Sequence, residues 1–150
     1  MLGTLVSVDF ASLSGAAVSG SFAYKFFSGP MTYAAATASC RTWSAAATIV
    51  TIFSEQEQNF VHGLKPVSTD PIWIGAIRQG TGFVWVDGAR LNYTNWKSGE
   101  PNDFQGSEDC VTMGKKGSSI ASLGAQWNDV SCRLTADVVC KQSIETGQFG

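Results

Sequence analysis

Glu100-Pro101-Asn102-Asp103-Phe104-Gln105-Gly106-Ser107-Glu108-Asp109-Cys110 is the stretch on which the reading of this chain turns, together with Trp127-Asn128-Asp129 and Cys132 further on. The first segment sets Glu100, Asp103, Glu108 and Asp109 close together among Pro, Gly and Ser, where regular helix is not expected. Carboxylates this close repel one another unless a cation or a polar partner neutralises them. Hard oxygen donors in irregular backbone are what Ca2+ selects. The same residues also read as a solvated acidic loop, the usual fate of a charge cluster. Spacing alone leaves both readings open.

The 150-residue chain is the size of one domain and long enough to bury a core. Charged residues are 15%, against about 25% in an average soluble domain. With 10 Lys plus Arg against 12 Asp plus Glu, the net charge is -2. That argues against a nucleic-acid partner and against a polybasic membrane anchor. No apolar run approaches the ~20 residues of a transmembrane helix. Cys40, Cys110, Cys132 and Cys140 form no CxxC pair, and His62 is the single histidine, so a structural zinc site is not expected. An even count at long spacings fits two disulfides and a secreted or extracellular location; four buried thiols are the plain alternative, and the sequence allows any of three connectivities. The sequon Asn92-Tyr93-Thr94 points the same way and makes Asn92 a candidate glycosylation position.

Residues 1–21 are small and aliphatic; Val6, Val8 and Phe10 alternate with Ser7 and Asp9 at the period of a strand. No Lys or Arg precedes Lys25, and Asp9 breaks the apolar run, so the segment reads as part of a mature chain, or of one whose signal is already removed, with a signal remnant as the plain alternative. Tyr24, Phe26 and Phe27 form a short aromatic strand, with a turn expected at Ser28-Gly29-Pro30. Residues 31–43 have the Ala content of a helix, with Thr32 as N-cap and Tyr33, Ala36, Cys40 and Trp43 on one face. Ile49, Val50 and Ile52 make a strand. Ser54 then caps a second helix, Glu57 completes a capping box, and Pro66 ends it. Short strands follow at 73–75 and 83–86, then a long irregular stretch, then strand character over 127–140. A long irregular stretch in a compact domain is usually functional. The order of strand, two helices, loops and short strands gives an α+β domain.

Taken together, these motifs resemble the C-type lectin-like domains, in their short form, from about residue 22 to 142. Trp73-Ile74-Gly75 matches the family's WIG strand, Glu100-Pro101-Asn102 its EPN motif and Trp127-Asn128-Asp129 its WND motif. The resemblance implies two helices with short antiparallel sheets, a long calcium-binding loop region, and bridges Cys40–Cys140 and Cys110–Cys132. It leaves residues 1–21 as an extension and 143–150 as a tail. It implies one principal Ca2+ held by Glu100, Asn102, Glu108, Asn128 and Asp129. It implies a sugar site in which Glu100 and Asn102 face one hydroxyl, and Glu108 and Asn128 its neighbour. The EPN order is that of mannose-type readers, which take equatorial vicinal hydroxyls as in mannose, N-acetylglucosamine or fucose. Phe104, standing between polar neighbours, is the best candidate for added ligand contact; Trp96 is the other.

The chain also departs from the pattern. After the WIG strand, residues 76–82 carry Arg78 and no acid, so Asp103 and Asp109 lack the partners of a second calcium site and none is expected to form well. Residues 113–126 look longer than the family's usual link to WND. No Walker loop, HExxH, GxSxG or GxGxxG is present, and an enzyme is not expected. A glycosidase reading would make Glu100 and Glu108 acid and nucleophile; a nearby Ca2+ would lower both pKa values, which opposes it. The expected function is that of a secreted, calcium-dependent carbohydrate-binding protein. The alternative is a structural or protein-binding module of the same fold that assembles into homo-oligomers or filaments through the alternation at 4–13. An ice-binding relative is a third reading, which the intact EPN set disfavours.

Overall fold

The computed structural model describes residues 15–66, 70–114 and 125–144. The alternation at 4–13, Lys115-Lys116, most of the long link at 113–126 and the tail from 145 lie outside them. In chain order the elements are β1 (Ala17–Ser19), β2 (Phe22–Met31), α1 (Tyr33–Trp43), β3 (Thr48–Ile49), α2 (Glu55–Leu64), β4 (Ile72–Gln79), β5 (Gly82–Trp85), a 3-10 turn (Phe104–Gly106), β6 (Cys110–Met113), β7 (Trp127–Val130) and β8 (Ala136–Ser143). The strands join in one sheet ordered β1-β2-β8-β4-β6-β7, with β3 on β8 and β5 on β4. All pairings are antiparallel except β4 with β8, which makes the sheet mixed. No described helix is long and apolar enough to cross a membrane.

Both helices start where their caps predict. The Thr32 hydroxyl accepts from the Ala35 N–H at 3.2 Å and the Ser54 hydroxyl from the Glu57 N–H at 3.1 Å. The Glu57 side chain closes its box on the N–H of Phe53, one residue ahead of the cap. Its second oxygen accepts from the Tyr24 hydroxyl and meets Lys141 Nζ at 2.6 Å. Lys141 is buried on β8, donates to the carbonyl and hydroxyl of Thr51 at 3.1 Å, and lies over the Phe22 and Phe53 rings. A buried ammonium is tolerated when its donors are satisfied. This one ties α2 to β8.

The turn expected at Ser28-Gly29-Pro30 is instead an irregularity inside β2, where the register against β8 shifts between Phe27 and Met31. Gly29 is pressed on β8: a Cβ there would lie 2.6 Å from the Ala136 carbonyl oxygen, and its N–H donates to Asp137 Oδ1. The Gly-Pro signal fits a bulge as well as a turn. At the other end of the chain from the expected extension boundary, β8 runs on to Ser143; at the near end, Ala17–Ser19 pair with Phe22–Tyr24 of the same chain.

Strand residues alternate between two cores. Ile72, Ile74, Val111, Met113 and Val139 join one cluster with Trp85 and Trp127. Trp73, Cys110, Val138 and Cys140 join the other, with Ala36 and Cys40 of α1. The disulfides are Cys40–Cys140, inside that second core, and Cys110–Cys132, which fixes the start of β6 to the segment after β7. The WIG glycine has a packing reason. Gly75 donates to the Val50 carbonyl at 2.7 Å, and a Cβ at this position would stand 2.6 Å from the Ile49 carbonyl oxygen. Gly75→Ala should therefore cost about 1–3 kcal/mol through forced backbone movement. A urea midpoint equal to that of the parent would refute this close approach.

Candidate metal centre

The site is built where the irregular stretch returns to β7. Trp127 anchors that return. Its indole N–H donates to Gln58 Oε1 at 2.8 Å in the interior, and its ring packs edge-on against Trp85, Tyr93 and Trp96. Its backbone accepts from Lys97 and donates to the Asn95 carbonyl. Gln58 in turn donates to the carbonyl of Ala125 and so fixes the entry to β7. Trp96 is thereby drawn against Phe83 and Trp127.

Two residues along from Trp127, the Asp129 carboxylate is fully buried. Its Oδ1 accepts from the Asn102 N–H at 3.1 Å and its Oδ2 from the Asp103 N–H at 2.8 Å. These two bonds curl the EPN stretch over the end of β7. The curl requires left-handed backbone at Asp103 (φ 46°) and Gln105 (φ 58°), a conformation L-residues rarely adopt and one that concentrates at functional sites.

The predicted ligands converge. Carboxylate oxygens of Glu100, Glu108 and Asp129 all lie within 4.8 Å of one another. With its NH2 turned toward Glu100, the Asn128 amide lies 3.0 Å from both Glu100 oxygens. The Phe104 N–H sits between Asn102 Oδ1 (3.2 Å) and Glu108 Oε1 (2.9 Å), which brings those two oxygens to one donor. The Phe104 side chain is 60% exposed, so its ring is open to a ligand beside the cluster. Asn92 is exposed on the loop before it.

The electrostatics match a seat for a cation. Burial, a hydrogen bond with Asp129 and repulsion from Asp129 and Glu108 hold the Glu100 carboxyl above its ordinary pKa. Burial raises Glu108 too, reinforced by Asp129 and Asp103 and opposed by the Phe104 N–H and Arg78. Burial together with neighbouring like charges produces this pattern. Hard oxygen donors in this number and of this charge fit Ca2+. Glu108 and Asn128 also line a cleft of about 270 Å³, walled by Pro71, Thr112, Val130 and Leu134.

Arg78 is the site residue that sequence reasoning left without a role. Its Nε donates to Asp109 Oδ1 at 3.0 Å and its Nη2 to the Glu108 carbonyl at 2.9 Å. The same Nη2 lies 3.4 Å from Asp103 Oδ1 and 3.5 Å from Asp129 Oδ2. Asp103 and Asp109, the remnant of the second calcium pattern, are thus engaged by a side chain. The absence of acids at 76–82 was the available signal, but it gave no indication that the base among them faces the loop.

The family model for the C-type lectin domain matches residues 29–142. Echinoidin of Heliocidaris crassispina is 30% identical over 138 residues, covering 81% of this chain and 90% of its own length. The galactose-specific lectin nattectin of Thalassophryne nattereri is 30% identical over 131 residues, covering 83% and 76%. Among solved structures, the cow C-type carbohydrate-recognition domain of CD23, in the presence of GlcNAc2Man3 oligosaccharide, superposes with TM-score 0.74 at 27% identity, over 87% of this chain and 95% of that one. The chain spans only 26% of the mouse low affinity immunoglobulin epsilon Fc receptor, to which it is 38% identical, and 4% of rat versican core protein, at 36%.

The raised carboxyls fix the sign of a pH effect in EDTA. Groups whose pKa is higher folded than unfolded bind extra protons in the folded state, so their contribution to stability falls as pH rises. Relative to the Glu100→Gln, Glu108→Gln double variant, the metal-free parent should be less stable at neutral pH, with the gap closing toward about pH 4, where glutamate protonates. Thermal unfolding of both proteins across that range reads it; a gap independent of pH would refute the charge crowding.

Proposed function

The chain belongs to the C-type lectin domain family, and on that premise we propose that it is a secreted, calcium-dependent protein that binds mannose-type sugars. The observation that carries this reading is the meeting of Glu100, Glu108 and Asp129 within 4.8 Å, with the Asn128 amide on Glu100. Glu100, Asn102, Glu108, Asn128 and Asp129 would hold one Ca2+. When bound, the ion supplies an electrophilic anchor for two adjacent sugar hydroxyls. The protein's own groups complete each hydroxyl's bonding. Asn102 and Asn128 donate amide N–H to the hydroxyl oxygens, while Glu100 and Glu108 accept the hydroxyl protons. A sugar whose hydroxyls are so satisfied loses little on leaving water. Exposed Phe104 offers an apolar surface to the C–H face of the ring.

The sugar class rests on the order of Glu100 and Asn102. Nattectin, a relative at 30% identity, is named galactose-specific, so likeness at this level does not choose the sugar. The cow domain, described with an oligosaccharide containing mannose and N-acetylglucosamine, supports the mannose-type choice. The two carboxylates have full use as ion ligands, and we assign no catalytic step to them. Two disulfides and an exposed sequon support secretion. A single shallow site of this kind binds weakly, so useful avidity would come from clustered targets or from a homo-oligomer.

Glycan-array binding measured with Ca2+ and again with EDTA tests the proposal. Mannose, N-acetylglucosamine or fucose glycans should bind only with the ion. The Glu100→Gln, Asn102→Asp variant should lose mannose affinity by about tenfold or more, roughly 1.4 kcal/mol, and gain galactose. Binding that survives EDTA, or no sugar binding at all, would overturn it. Sugar binding should also fall away as pH drops toward about 4, because the ligand carboxylates must be ionised to hold the ion.

A further inference from the structure

We propose that Arg78 is a built-in cation that holds the stretch 100–109 in its binding shape before any metal arrives. Five carboxylates crowd this end of the molecule: Glu100, Asp103, Glu108, Asp109 and Asp129. They divide into two groups. Glu100 and Glu108 meet Asp129 on the side proposed for Ca2+. Asp103 and Asp109 meet Asp129 across the guanidinium. Asp129 belongs to both groups, so the position of the ion seat depends on the rear contact.

The guanidinium suits this place. It presents several N–H donors in a rigid fork and does not deprotonate in proteins, so its charge is permanent. One edge reaches Asp109 and the other reaches the Glu108 carbonyl and the Asp103 and Asp129 carboxylates. Its face is covered by the Phe83 ring, with Cζ 4.6 Å from the centroid, and the side chain is only 17% exposed. An exposed ion pair contributes little, but a shielded, multiply bonded guanidinium is better placed. The backbone adds to the lock. The Arg78 N–H donates to the Asp109 carbonyl at 3.0 Å, just past the register shift between β4 and β6 that sets Ile77 opposite Cys110. Arg78 therefore acts as a positioning residue: it sets the Glu108 and Asp129 ligands and needs no second ion to do so.

The test uses the whole chain and Ca2+ alone, so it does not depend on the sugar. In EDTA, amide hydrogen exchange across 100–109 should be slow in the parent and at least tenfold faster in Arg78→Gln, while β4 and β8 keep their protection. Saturating Ca2+ should restore the loop in the variant, and calorimetry should show Ca2+ affinity weakened by about tenfold, since the ion must then order the loop itself. Arg78→Lys should recover only part of both, because an ammonium lacks the fork. The parent should bind one Ca2+ with a simple isotherm. Unchanged loop exchange in Arg78→Gln would overturn the inference. Should that variant lose core protection as well, Asp109→Ala removes the 3.0 Å contact while leaving the arginine in place, and loop exchange unchanged there overturns it equally. A parent that binds no Ca2+ sinks the proposed function and leaves the exchange in EDTA to decide the role of Arg78.

Discussion

A carboxylate with no exposure to water governs this structure. Asp129 sits at the end of a core strand, and a buried charge is tolerated only when donors or counter-charges surround it. Here the donors come from the EPN stretch itself: the N–H groups of Asn102 and Asp103 point at its two oxygens. The loop returns to the sheet where that buried carboxylate needs donors, and the loop's own N–H groups supply them. The bend at Asp103 and Gln105, uncomfortable for L-residues, is a consequence of this mutual demand.

Everything behind Asp129 works to keep it still. Trp127 is locked by Gln58 and by three aromatic neighbours, and the Cys110–Cys132 bridge holds β6 to the segment that leaves β7. On the two faces of β8, Cys40–Cys140 fastens α1 and the Lys141–Glu57–Tyr24 cluster fastens α2. The result is a rigid frame that carries one long polar loop, the usual division between scaffold and binding surface.

Much of this was legible in the sequence, and the gaps have physical causes. Thr32 and Ser54 announce their helices because capping is local chemistry. The spacing of Trp73-Ile74-Gly75 is readable too, although its reason, a carbonyl 2.6 Å from where a Cβ would stand, is tertiary. The five proposed ligands and both bridges followed from resemblance; the bridges form as implied, and the five residues lie together at the end of β7. The Gly29-Pro30 bulge was read as a turn because both need the same residues. The parallel junction of β4 with β8 joins strands distant in the chain, which periodicity does not sense. The burial of Lys141 depends on an acid and a threonine from other elements, which a reading along the chain does not bring together. Arg78 was left without a role for the same reason: its partners lie about 25 to 50 residues away along the chain and meet only once the loop has curled.

The two sides of Asp129 differ in what can leave. On the rear side the counter-charge is a side chain, bonded to the backbone of Glu108 and permanently ionised. On the front side Glu100 and Glu108 face each other with raised pKa values, and among the described residues no cationic side chain bonds to either carboxylate. A proton can relieve that crowding, and so can a dication, but the two compete for the same oxygens. On the proposed reading, the loop owes its shape to the fixed charge, and its readiness to bind owes to the exchangeable one. Separating the two duties lets ligand release follow calcium and acidity without dismantling the loop. Had both charges been exchangeable, release would also let some ten residues disorder, and rebinding would have to order them again at roughly 1–2 kcal/mol for each backbone unit fixed. One arginine on β4 removes that requirement.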